Sequence, residues 1–154
     1  MARVRIYLDG DSCPVKVREV IFRAAERREV PVYVVHQGRL QLPQGPWIKP
    51  VKLPPAPGAA DAYILTHAKP WHLVVTRDIP LAAELVERGV PVINDRGTEF
   101  TRENVRERLS ARHAMKQLRE LGLVKTRSRF SHRELRAFAA VFDRVLTRLL
   151  GESG

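Results

Sequence analysis

Val4-Arg5-Ile6-Tyr7-Leu8-Asp9-Gly10-Asp11-Ser12-Cys13-Pro14-Val15-Lys16-Val17 is the stretch that decides the fold. Val4 to Leu8 is a short, β-branched-rich run closed by a turn, which reads as a buried first strand. Pro14 then opens a helix, because its fixed φ suits the first turn and its missing N–H is not needed there. Ser12 or Cys13 is expected near the cap. Behind Pro14, the residues Val17, Val20, Ile21, Ala24 and Ala25 recur on one helical face.

The same alternation continues outward from this opening. Val32-Tyr33-Val34-Val35 gives a second strand, ending at His36, and Gln37 to Pro46 a polar loop. Trp47 to Leu53 reads as a third strand that Pro50 keeps short or confines to an edge. Pro54, Pro55, Pro57 and Gly58 form a breaker. A helix follows from Ala60 to about Ala68, then a buried strand Leu73 to Thr76. Asp78 and Pro80 start a helix that buries Leu81, Ala82, Leu85 and Val86. Gly89 ends it, and Val90 to Ile93 is the last strand. Strand, helix, strand repeated in this way predicts a mainly parallel sheet with helices on both faces.

After Gly97 only helices are expected. One runs from Thr101 to about Leu121, and Ser131-His132-Arg133-Glu134 reads as a capping box for another. In that last helix Leu135, Phe138, Ala139, Phe142, Val145, Leu146 and Leu149 make an apolar stripe. The stripe suits core packing better than a homodimer face. The expected organisation is a single α/β domain over residues 1–150, with 101–150 as a helical, basic part and 151–154 as a short tail.

The chain has 154 residues, 44% of them apolar, enough for a packed core. No apolar run is long enough to span a membrane, and the start lacks the pattern of a signal peptide, so a cytoplasmic protein is expected. One cysteine excludes an internal disulfide framework and any multi-cysteine zinc site. The net charge of +10 favours polyanions, nucleic acid foremost. The excess is concentrated late in the chain. Between Thr101 and Leu150 stand thirteen basic residues, among them Arg106, Lys125, Arg127 and Arg129, against five acidic ones. An ordinary solvated helix surface would look the same.

In an open parallel sheet, ligands bind beyond the carboxyl ends of the strands. Aspartates recur at those positions. Asp9 and Asp11 follow strand one, Asp78 follows the strand ending at Thr76, Asp95 follows the last strand, and Asp61 begins a helix near the same rim. Residues two apart in extended backbone point the same way, so Asp9 and Asp11 can converge. Carboxylates held together repel and need a cation. With no thiolate or histidine pair, the oxygen ligands suit Mg²⁺ or Mn²⁺. Taken singly, each aspartate also has a plain structural role as helix cap, dipole partner or turn former. Thr76 is placed to orient a water or phosphate, or merely to bond the turn. Lys16, Arg18 and Arg77 lie near the acidic rim, as phosphate clamps or charge balance. Cys13 reads as a packing residue.

Asp9-Gly10-Asp11-Ser12-Cys13-Pro14-Val15 resembles the D-A-D-A-C-P-V opening of the YaiI/YqxD family. So do Phe22-Arg23-Ala24-Ala25-Glu26-Arg27, Ala60-Asp61, Thr76-Arg77-Asp78-Ile79-Pro80-Leu81-Ala82, Asn94 with Arg96-Gly97, and Arg106-Glu107-Arg108-Leu109. That family is similar to PIN-like domains, whose known members are mostly metal-dependent nucleases. The resemblance implies a three-layer PIN-like fold. It places Asp9, Asp61 and Asp78 at acidic metal positions and Asp11 at the second aspartate. Gly10 and Ser12 replace the usual alanines, a change expected to be harmless. Gly58 stands where many members carry an acid, and Asp95 where they carry proline.

The expected function is therefore a Mg²⁺/Mn²⁺-dependent nuclease acting on RNA ahead of DNA. Asp9, Asp11, Asp61 and Asp78 form its catalytic and metal set; Lys16, Arg18, Thr76, Arg77, Arg96 and Arg106 contact substrate. The alternatives are a HAD-like phosphatase with Asp9 as nucleophile and an inactive RNA-binding module.

Overall fold

The structure, a computed structural model, describes residues 3–122 and 131–153. Lys125, Arg127 and Arg129 of the basic segment lie outside the described residues. The elements are β1 (Ile6–Asp9), α1 (Val15–Arg28), β2 (Val32–His36), β3 (Ile48–Lys52), α2 (Ala59–His67), β4 (Leu73–Val75), α3 (Ile79–Glu87), β5 (Val92–Ile93), α4 (Arg102–Glu120) and α5 (His132–Ser153). The five strands form one sheet in the order β3-β2-β1-β4-β5, and every pairing is parallel. Pro50 lies in β3, an edge strand, where its missing N–H costs no ladder bond on the open side.

Alternate residues of β1 serve opposite cores. Ile6 and Leu8 pack with α1 and α5, whereas Tyr7 packs with α2, α3 and Val105 of α4. The result is the three-layer, PIN-like α/β arrangement. The apolar stripe of α5 is used up inside it: Phe138, Phe142, Val145, Leu146 and Leu149 are buried against Val17, Ile21, Ala24 and Ala25 of α1. Removing one such phenyl ring costs about 3–5 kcal/mol. α5 continues through Ser153, into the stretch expected as a tail. No helix among the described residues is long and apolar enough to cross a membrane.

One local expectation is corrected. Neither Ser12 nor Cys13 caps α1; Pro14 itself takes the cap position, with no side-chain bond. Gly10 is closely surrounded. A Cβ there would lie 2.9 Å from Leu40 Cδ1 and from Val34 Cγ1, so alanine needs both side chains to shift. Thr101 caps α4 in a reciprocal box with Asn104, a signal the sequence reading passed over.

α4 reverses direction. Arg102 at its start pairs with Glu87 at the far end of α3, while Arg108 donates to Thr98 in the loop after β5. α4 thus runs back along α3 toward the carboxyl edge of the sheet. With 19 residues against the 9 of α3, it overshoots α3 by roughly 15 Å. Arg112, Lys116 and Arg119 lie on this exposed extension.

The loop between β5 and α4 meets α5 at Gly97, whose φ is +87°. A Cβ on Gly97 would stand 2.7 Å from the Ala137 carbonyl oxygen, a backbone atom that cannot move away cheaply. Gly97→Ala is expected to destabilise the fold by about 2–4 kcal/mol, combining positive-φ strain with overpacking. Urea unfolding of the two proteins checks this. Gly45→Ala, in open space, serves as the near-neutral control.

Candidate active site

β1 and β4 lie side by side, and the chain leaves them in opposite directions, β1 toward β2 and β4 toward β5. Between their carboxyl ends is the topological switch point, the place where open parallel sheets bind ligands; the cavity lined there by Asp9, Cys13, Thr76, Arg77 and Asp95 is small, about 10 Å³. Leu8 pairs with Val75, so one residue further Asp9 faces Thr76. Thr76 Oγ1 donates to Asp9 Oδ2 at 3.1 Å and accepts from the Asp78 backbone N–H at 3.1 Å. Asp78 is the N-cap of α3, its Oδ1 accepting from the Leu81 N–H at 3.0 Å. Asp61 stands in the first turn of α2, close enough to Asp78 and Asp9 for their charges to act on its carboxyl.

Asp9, Asp61 and Asp78 therefore meet at one rim. None of the three has a lysine or arginine partner among the described residues. Burial, then the charge of Asp78, then that of Asp9 push the Asp61 carboxyl up to about 6. Burial also raises Asp9, opposed by its bonds from Thr76 and Ser12 and reinforced by Asp78 and Asp11.

Asp11 is placed differently. Its Oδ2 accepts from the Gln37 N–H at 2.7 Å and its Oδ1 from the Gly38 N–H at 3.1 Å. Gln37 Nε2 in turn donates to the carbonyl oxygens of Pro54 at 2.9 Å and Ala56 at 2.6 Å. Asp11 thereby ties the loop after β2 to the breaker that launches α2 and its Asp61. Gln37 was missed from the sequence; its only signal was its place just past the end of a strand.

Asp95 joins the rim as a buried carboxylate paired with Arg77 at 2.5 Å. Arg77 is thus charge balance for Asp95. Arg18 Nη1 donates to the Cys13 carbonyl oxygen at 2.9 Å and braces the β1–α1 turn. Arg96 pairs with Glu134 and fastens the loop after β5 to α5. Lys16 and Arg106 are exposed. Burial and the Asp95 charge push the Cys13 thiol up to about 12, so it packs and does not attack.

The family model of the uncharacterized YaiI/YqxD family matches residues 7–148. The chain belongs to the YaiI/YqxD family. A UPF0178 protein of Shewanella sp. (strain ANA-3) is 38% identical over 150 residues, covering 97% of this chain and 100% of the relative. One from Burkholderia cenocepacia (strain HI2424) is 41% identical over 146 residues, covering 94% and 97%. No solved structure matches.

The donor set suits a hard divalent cation. Asp9, Asp61 and Asp78 offer oxygen only, each raises the energy of another's charge, and among the described residues no side-chain cation pairs with them. Among the described residues, no three carboxylate, imidazole or thiol groups already close on a point as a finished ion cage does. Holding an ion therefore requires side-chain rotation, which the partial exposure of Asp61 permits.

The sign of the pH dependence follows. Asp61 holds its proton more tightly folded than unfolded, with about 6 replacing the ordinary 3.8. That contribution is full below pH 4 and is lost as pH rises through 6. In the absence of metal, the melting temperature should fall over this interval more steeply in the wild type than in Asp61→Asn. Thermal melts of both proteins across pH 4 to 7 test this; parallel curves would remove Asp61 from the coupled set.

Proposed function

We propose that this YaiI/YqxD family protein is a Mg²⁺- or Mn²⁺-dependent phosphodiesterase acting on nucleic acid, RNA ahead of DNA. The observation that carries it is the contrast at the switch point: Asp95 has its own arginine, whereas Asp9, Asp61 and Asp78 face one another with none. Those three residues would hold the ion. Bound there, a divalent cation polarises a phosphoryl oxygen and lowers the pKa of a water.

The protein's part is orientation. Thr76 keeps Asp9 in one rotamer and, through the same oxygen, fixes the start of α3. Asp78 spends one oxygen on its cap and keeps the other for the site. Asp11 sets the loops that position α2 and adds negative field at Asp9. Lys16 at the first turn of α1 and Arg106 on α4 are free of carboxylate partners among the described residues and suit phosphate. The basic extension of α4 provides sequence-independent backbone contacts beyond the rim. The resemblance to PIN-like nucleases supports the same chemistry.

Asp9→Asn, Asp61→Asn and Asp78→Asn should each lower cleavage of a labelled single-stranded RNA by at least about a hundredfold, the scale of losing a positioned carboxylate. Each should also shrink the rise in melting temperature that Mn²⁺ gives the wild type, since that rise depends on affinity. Asp78→Asn should leave the metal-free melting temperature unchanged or higher, because Asn caps as well as Asp and removes a repulsion. Equal Mn²⁺ shifts in all four proteins would overturn the site. A covalent phosphate on Asp9 would replace the proposal with the phosphatase chemistry.

A further inference from the structure

The opposite edge of the sheet carries a different chemistry. The segments entering β1, β3 and β4 bring Arg3, Arg5, Trp47, Lys69 and Trp71 to the amino ends of the strands. These include both tryptophans of the chain. Two cavities open there, of about 520 and 470 Å³, each within the ~300–1,000 Å³ range of ligand sites. Arg3 and Arg5 line both cavities; Trp71 and Lys69 line the first, and Trp47 the second. No carboxylate lines the first, and Glu29 is the one in the second. Among the described residues, Arg3, Arg5 and Lys69 have no acidic partner.

The Arg5 guanidinium is held in place, and the backbone that carries Lys69 is fixed. Arg5 lies 5.1 Å from the centroid of Tyr33 and donates to the Tyr7 hydroxyl at 3.4 Å. The Lys69 N–H donates to His72 Nδ1 at 3.0 Å, which closes the turn carrying Lys69 and Trp71. The Leu73 N–H donates to the Arg5 carbonyl oxygen at 2.9 Å and fixes that turn against the strand bearing the arginines. His72, buried beside Arg5 and Lys69, is pushed down to about 4 and stays neutral, as an acceptor from Lys69 requires. Trp71 nevertheless leaves 41% of its surface open, though an indole beside a packed histidine has every hydrophobic reason to be covered.

Unpaired cations beside an open indole match a polyanion that carries flat rings. Phosphates satisfy the guanidinium and ammonium groups, and unpaired bases stack on an indole whatever their sequence. A duplex keeps its bases within the stack and cannot offer them. We infer that the amino edge of the sheet is a second nucleic-acid site, where a single strand runs its phosphates over Arg3, Arg5 and Lys69 and stacks a base on Trp71, with the half-buried Trp47, packed against the core, bordering the path. It lies at the other end of β1 and β4 from the acidic rim and does not depend on whether that rim cleaves.

The test is tryptophan fluorescence of the full chain in EDTA, titrated with a single-stranded RNA hexamer, with a duplex RNA of equal length, and with inorganic polyphosphate. The hexamer should quench and saturate. The duplex and polyphosphate should quench little and bind more weakly. Arg3→Glu with Lys69→Glu should weaken hexamer binding by about tenfold or more. Trp71→Ala should remove most of the quench and about tenfold in affinity, the scale of one lost stack, and Trp71→Phe should keep the affinity. Circular dichroism of each variant establishes that it is folded. Arg112→Glu with Lys116→Glu, on α4, should retain the quench. Polyphosphate quenching as strongly and binding as tightly as RNA would overturn the inference, as would an Arg3/Lys69 variant that binds like wild type, or a quench lost only in the α4 variant.

Discussion

Parallel pairing of β1 with β4 governs the geometry of the carboxyl rim. The pair is central, so both strands are held by neighbours on either side, and the chain departs from them in opposite directions. Their ends meet at the point where open parallel sheets bind ligands. The register brings Asp9 level with Thr76, and one hydroxyl then joins the end of β1 to the start of α3. A slip of one residue would turn Asp9 to the other face of the sheet and break its bond from Thr76, because side chains alternate along a strand.

Carboxylates at this rim are held in three distinct ways. Asp95 is buried and neutralised by Arg77. Asp11 is exposed and satisfied by two backbone N–H groups, which fixes a loop without any cation. Asp9, Asp61 and Asp78 are partly buried and, among the described residues, have no cationic partner; burial and the neighbouring carboxylates raise the proton affinity of Asp61 and Asp9. Such repulsion persists because the elements bearing it are anchored elsewhere. Ile64 holds α2, and Leu81 and Leu85 hold α3, in the core below the rim. Stability spent in this manner is a common feature of sites selected for binding rather than rigidity.

Charge is divided by range. The chain is strongly basic overall, yet its switch point is acidic. Fields beyond about 8 Å are screened at physiological salt, so the rim is governed by its own carboxylates rather than by the basic helices. Arg18, Arg77 and Arg96 show how far local pairing subtracts from that basic surface: each is engaged by the protein itself.

Periodicity alone determined the element order, the parallel sheet, the edge position of the Pro50 strand and the buried face of α5, because burial imposes periods of 2 and 3.6 directly on the residues. It also placed Asp9, Asp61 and Asp78 at strand ends and helix starts. It could not tell Asp11 from Asp9, since both follow the same strand two residues apart; the partner that separates them, the loop at Gln37 and Gly38, is more than twenty residues away. The pairing of Asp95 with Arg77, the crowding at Gly10 and Gly97, and the reversal of α4 along α3 were likewise decided only by tertiary structure. Each depends on which distant segments come to within a few ångströms, and one-dimensional spacing carries no record of that distance.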